Sequence, residues 1–150
     1  MGKYGAKGTV GPAPGFSWAE VRCTDGSMPS FVGRRRAVYQ ARYLNSLRAR
    51  VARGYGVKRS HVAIIVNSWY RSPSFNRRIG GARSSQHIQT RATDLVIVVR
   101  TKKGKVVRLA PRTTAAYAEK VRAFNKGGIG VYPNFTHLDH RPNGPARWSG

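Results

Sequence analysis

Ser85-Gln86-His87-Ile88-Gln89-Thr90-Arg91-Ala92-Thr93-Asp94 leads without interruption into Leu95-Val96-Ile97-Val98-Val99. The second half is short, β-branched and apolar, so Asp94–Val99 reads as a buried strand opened by a carboxylate. His87 lies in the irregular segment before it, where a turn brings its imidazole towards Asp94. Near the other end of the chain, Phe135-Thr136-His137-Leu138-Asp139 reads as the last ordered strand. A histidine, an aspartate seven positions on and a distant second histidine make a usable set of three zinc ligands. Zinc accepts imidazole and carboxylate, and a catalytic site leaves its fourth position to water. The pattern points to a metallohydrolase.

The candidate ligands are therefore His87, Asp94 and His137. Singly, such residues are more often structural than metal-binding. Here they fall in two compact clusters, in a chain with only five acidic residues. His137 and Asp139 are two apart in a strand and face the same way. One can ligate the metal while the other handles the water or steadies the histidine. Arg71 ends the run Asn67-Ser68-Trp69-Tyr70-Arg71 and is a candidate cation facing the site. His61 flanks a strand, and His140 should face away from the site.

Outside these clusters the pattern predicts an α+β fold, a small mainly antiparallel sheet with two principal helices and the zinc site on the sheet face. His61–Asn67 forms another apolar, β-branched strand. Val38, Ala41, Leu44, Leu47 and Val51 recur at threes and fours, predicting a helix over 35–53 with Gly54 as its stop. A second helix is expected from Thr114 to about Phe124, halted by Gly127-Gly128. Lys102-Lys103-Gly104-Lys105 reads as a hairpin turn into Val106–Leu109. Residues 1–15, with five glycines and two prolines, read as a flexible basic arm ahead of one domain over 16–150.

The 28 lysines and arginines against five acids give a net charge of +23, a field that attracts polyanions. Nucleic acid, anionic cell-wall polymers and phospholipid surfaces all satisfy that physics. No apolar run approaches the ~18–20 residues of a membrane helix, and the N-terminal residues lack the hydrophobic core of a signal peptide. Action outside a cytoplasm would then need release on lysis or carriage on a virion. The single cysteine, Cys23, excludes an intrachain disulfide and reads as a buried thiol.

Further pieces extend the pattern: Tyr70-Arg71-Ser72-Pro73, Asn76, Gly80-Gly81-Ala82, Gly127 to Tyr132 and Arg147-Trp148-Ser149-Gly150. With Ser85 to Asp94 and His137-Leu138-Asp139, and with Phe16, Glu20, Cys23 and Gly26 upstream, they resemble the M15 zinc peptidases. More narrowly, they resemble the D-alanyl-D-alanine carboxypeptidase-like group of bacteria and phage lysins. The resemblance covers roughly residues 16–150. It implies zinc held by His87, Asp94 and His137, and hydrolysis of peptide bonds in peptidoglycan stem peptides. It also implies Arg71 beside the reacting carbonyl, where it would stabilise an oxyanion.

Three positions depart from the family pattern. Thr90 and Trp69 stand where glycine is usual, so local backbone or pocket shape must differ. Asn134 stands where many relatives carry an acid three positions before the last ligand, and an amide cannot act as a base. Asp139 is the remaining candidate for the base, the other role open to it being to orient a histidine or pair with an arginine such as Arg141.

Two alternatives accompany the peptidase reading. One is a non-catalytic wall-binding or virion structural module, with virion or tail subunits as partners. The other is a nucleic-acid-binding protein, for which the sequence offers charge but no docking motif.

Overall fold

The computed structural model describes residues 13–150. Most of the expected N-terminal arm, residues 1–12, lies outside the described residues. Ala13 is buried and joins the hydrophobic core, and the Pro14 carbonyl accepts a hydrogen bond from Asn45 Nδ2.

A short helix α1 (Trp18–Val21) precedes the long α2 (Phe31–Tyr55), and a 3₁₀ turn at Arg59–His61 leads into β1 (Val62–Ser68). Then come α3 (Pro73–Arg78), β2 (Ala92–Arg100), β3 (Val106–Arg108), α4 (Pro111–Ala118), α5 (Arg122–Asn125), β4 (Gly128–Val131), β5 (Thr136–Asp139) and β6 (Ala146–Ser149). The six strands form one sheet ordered β1-β2-β5-β4-β6, with β3 also paired to β2. All pairings are antiparallel except β4 with β6. The expected α+β architecture with a mainly antiparallel sheet is what forms.

Strand alternation divides the sheet into two faces. Leu95, Ile97 and Val99 of β2, with Val62 and Ile64 of β1, pack in one core with Leu44, Leu47 and Val51 of α2. Gln40, fully buried in α2, ties the helix to both central strands. Its Nε2 donates to Thr93 Oγ1 at 3.1 Å and to the Leu138 carbonyl at 3.0 Å. Asp94 and His137 are directly cross-paired between β2 and β5. They belong to the opposite parity and so stand on the face away from α2.

Several boundaries differ from the sequence reading. Helix α2 starts at Phe31, capped by the Ser30 hydroxyl, and runs through Gly54 to a left-handed Gly56. Gly54 does not stop the helix; it makes room, because a Cβ there would lie 2.2 Å from the Tyr117 hydroxyl of α4. The expected second helix is broken into α4 and α5 around 119–121, with Val121 extended as the cap of α5. Strand β5 is not the last: β6 follows and pairs in parallel with β4.

Candidate metal centre

Asp94 is fixed by the β2–β5 ladder, and His137 reaches it from across that pair. His87 arrives from the loop between α3 and β2, whose backbone is folded tightly around it. The His87 carbonyl accepts from the amides of Arg71 and Thr90, both at 3.1 Å. Thr90 makes this possible at φ 61°, the one non-glycine residue in the left-handed region among the described residues. Its side chain is almost completely buried, with Oγ1 close to Gly33 of α2.

The three side chains converge. His87 Nε2 lies 3.1 Å from Asp94 Oδ1, and His137 Nδ1 lies 3.0 Å from the same oxygen. One donor atom from each residue can be chosen so that all lie within 4.8 Å of one another, and all three residues are buried. The outer nitrogens settle the tautomers. His87 Nδ1 is 2.7 Å from the Trp69 carbonyl, which can only accept, so the proton sits on Nδ1. His137 Nε2 is 2.8 Å from Asp139 Oδ2 and donates to that carboxylate. In neutral imidazoles both inner nitrogens are then bare lone pairs aimed at an anionic oxygen. Acceptor against acceptor at 3 Å is repulsive unless a proton or a metal cation lies between them, and this donor set fits a bound cation that takes the place of the proton.

Electrostatics divide the two imidazoles. Burial lowers the His87 pKa more than Asp94 raises it, so His87 favours the neutral, ligating form. For His137 burial acts in the same direction, but the hydrogen bonds to Asp139 and Asp94 outweigh it and raise the pKa, so without a metal His137 favours the protonated form, and a bound cation would displace the Nδ1 proton. Burial also opposes ionisation of Asp94 and Asp139. The hydrogen bond from His137 holds the Asp94 carboxyl well below the usual carboxylate range, and those from Arg141 and then His137 do the same for Asp139.

Arg71 stands where the sequence reading put a cation. Its Nη2 is 3.1 Å from Asp94 Oδ2, and Nε donates to Ser68 Oγ at 3.2 Å. Asp139 is fully buried. Oδ1 accepts from the Gly128 amide, the Arg141 amide and Arg141 Nε, while Oδ2 accepts from Arg141 Nη2 and His137 Nε2. A side chain at position 128 would collide with this carboxylate, since a Cβ there lies 2.3 Å from Oδ2. Asn134 is exposed and offers its carbonyl to Arg108. The bulk of Trp69 is taken up by the core, edge-on to Phe16 at 5.7 Å, and does not line the site. His140 bonds Gln40 Oε1 at 2.6 Å and stays out of the centre.

The three candidate ligands line a pocket of about 570 Å³ together with Arg71, Gln86 and Arg141. One wall is aromatic. Tyr132 and Phe135 stack at 4.5 Å, and Trp148 Nε1 donates to the Tyr132 hydroxyl while its ring packs 4.9 Å from His137. The sequence reading assigned none of these rings a role. The run of Tyr132, Phe135 and Trp148 close to His137 in sequence was the available signal.

Over residues 16–139 the chain matches the family model described as peptidase M15. It belongs to that family. Membership implies a metallopeptidase, and the buried His87, Asp94 and His137 form the group able to hold the metal. A comparison with curated proteins finds no match.

Proposed function

We propose that this M15 family member is a zinc-dependent peptidase hydrolysing peptide bonds in peptidoglycan stem peptides, a wall-lytic activity carried by phage. The observation behind it is the convergence of two tautomer-locked imidazoles on the Asp94 carboxylate inside a pocket lined by Arg71. His87 Nε2, His137 Nδ1 and Asp94 are assigned as the zinc ligands. Zinc, when bound, lowers the pKa of a water ligand towards ~7 and polarises a carbonyl.

The chain's own groups do the rest. Arg71 presents guanidinium N–H groups to the oxyanion of the scissile carbonyl. Gln86 Oε1 is buried in the pocket lining with no hydrogen-bond partner among the described residues, which suits it to accept a peptide N–H from substrate. The rings of Tyr132, Phe135 and Trp148 give the peptide an apolar wall. Asp139 is assigned to position His137 rather than to take a proton. It does not line the pocket, and both of its oxygens are occupied.

One observation favours a second reading, a wall-binding or virion module retaining the fold. Among the described residues Asp94 is the only carboxylate lining the pocket, so no acid there is free to accept a proton. Mass spectrometry of purified peptidoglycan fragments, with and without a zinc chelator, separates the two. Chelator-sensitive cleavage establishes the peptidase, and the fragment masses identify the bond. Intact fragments from a zinc-loaded protein select the binding module.

A further inference from the structure

Away from the metal pocket, a cleft of about 660 Å³ is bounded by Tyr43 of α2, Arg122 and Ala123 of α5, Lys126 and the segment 140–145. A second hollow of about 470 Å³ continues it along α2, sharing Tyr43, Arg122 and Ala123. Arg50, Arg53, Lys120, Arg122, Lys126 and Arg141 line this continuous groove. The first five are exposed.

Among the described residues no carboxylate side chain pairs with those five. The chain has five carboxylate side chains, and each is engaged elsewhere. Glu20 caps Ser17, Asp25 accepts from Ser27 and Ser72, and Glu119 pairs with Arg147. Asp94 and Asp139 belong to the metal centre. A line of cations along a concave surface, without carboxylate partners, concentrates a field that favours an external polyanion over single small anions.

We propose that this groove binds a single phosphodiester-linked anionic polymer of the cell wall, of the poly(glycerol phosphate) type. The choice of a wall polymer rests on the wall-peptidase reading; the groove itself does not. Two features favour such a chain over nucleic acid. Single-strand binders stack bases on free ring faces, but the two rings lining the groove, Tyr43 and His140, pack against each other at 5.4 Å, and Tyr43 also packs against Phe124 at 6.3 Å. Duplex readers present a protruding helix or ribbon, whereas this surface is recessed. Arg141 also lines the metal pocket, so a polymer in the groove is held beside the site that receives the peptide.

The test measures binding of soluble poly(glycerol phosphate), a thymidine oligonucleotide and duplex DNA by the full chain across a salt series. The variants are Arg122→Glu with Lys126→Glu, Arg50→Glu with Arg53→Glu, and a control of equal charge change, Lys103→Glu with Lys105→Glu, which lines neither hollow. Each groove pair should weaken poly(glycerol phosphate) binding about ten-fold or more at low salt and reduce the salt slope by about one to two. The control should change affinity about two-fold at most, through the general field. Melting temperatures verify that each variant is folded. Equal losses in groove and control variants would overturn the proposal in favour of a diffuse field. Tighter binding of the oligonucleotide or duplex than of the wall polymer would overturn it in favour of nucleic acid.

Chelator-treated protein should bind the polymer unchanged. Groove binding without hydrolysis of wall fragments would therefore remove only the peptidase reading. Hydrolysis of soluble fragments without groove binding would remove only this proposal.

Discussion

Asp139 Oδ2 lies 2.8 Å from Nε2 of His137, in a carboxylate wholly shielded from solvent. The contact fixes the imidazole tautomer and so decides which nitrogen faces Asp94. Asp139→Asn keeps an oxygen near His137 but removes the charge and deprives Arg141 of its ionic partner. Zinc affinity should fall about 10–100-fold, measured by competition with a chromophoric chelator. Saturating zinc should restore much of the hydrolysis. Full zinc occupancy with no recovered activity would return Asp139 to the role of proton acceptor.

The ligand assignment has a readout independent of turnover. A metal that binds only the folded state raises the melting temperature by mass action. Zinc should therefore shift the melting of the wild-type chain upwards and leave His87→Ala and His137→Ala unmoved. Metal analysis of the same samples should give about one equivalent for wild type and close to none for the variants. A retained shift in either variant would remove that histidine from the set.

Thr90 makes a contrast that packing alone would reverse. A β-branched residue in the left-handed region costs about 1–2 kcal/mol, yet its buried side chain packs beside Gly33. Thr90→Ala loses the packing and keeps a Cβ at positive φ. Thr90→Gly loses the same packing but relieves the strain. Thermal denaturation should place the glycine variant above the alanine variant, by about 0.5–1.5 kcal/mol. The opposite order would mean that the left-handed geometry carries no strain.

His140 gives a pH dependence with a defined sign. Burial pushes its pKa down from 6.5 to about 4, with the positive charge of Arg91 acting in the same direction. Between those values the unfolded chain takes up a proton that the folded chain does not. Its contribution is therefore complete above pH 6.5 and is lost as pH falls towards 4, by at most about 1.4 kcal/mol per pH unit. His140→Asn keeps a donor for Gln40 and removes the titration. Urea midpoints over this range should rise with pH more steeply in the wild type than in the variant. Parallel profiles would show that His140 does not titrate in this window.

What the sequence disclosed, and what it withheld, has a physical pattern. β-branched blocks at 62–66 and 95–99 and the helical period over 38–51 are signals of burial, and burial is local enough to read. Strand parity correctly put His137 and Asp139 on one face, yet parity carries no information on depth. The shielding of Asp139 depends on Gly128 and Arg141 closing over it. Strand β4, Gly-Ile-Gly-Val, alternates glycine with aliphatic residues rather than polar with apolar, its glycines leaving room for Asp139 and Trp148. Gly54 misled for the same reason, being a contact point for Tyr117 rather than a helix terminus. The aromatic wall arises from pairing of β6 with β4, a non-local event with no periodic signature.

The Leu138 carbonyl received by Gln40 follows directly on His137 in the chain. The strand that carries the His137 imidazole on one side of the sheet is thus gripped by a helix on the other. Gln40 is, in effect, a listening post: the chemical shifts of its side-chain amide would register what the centre holds, through the sheet and without touching the pocket.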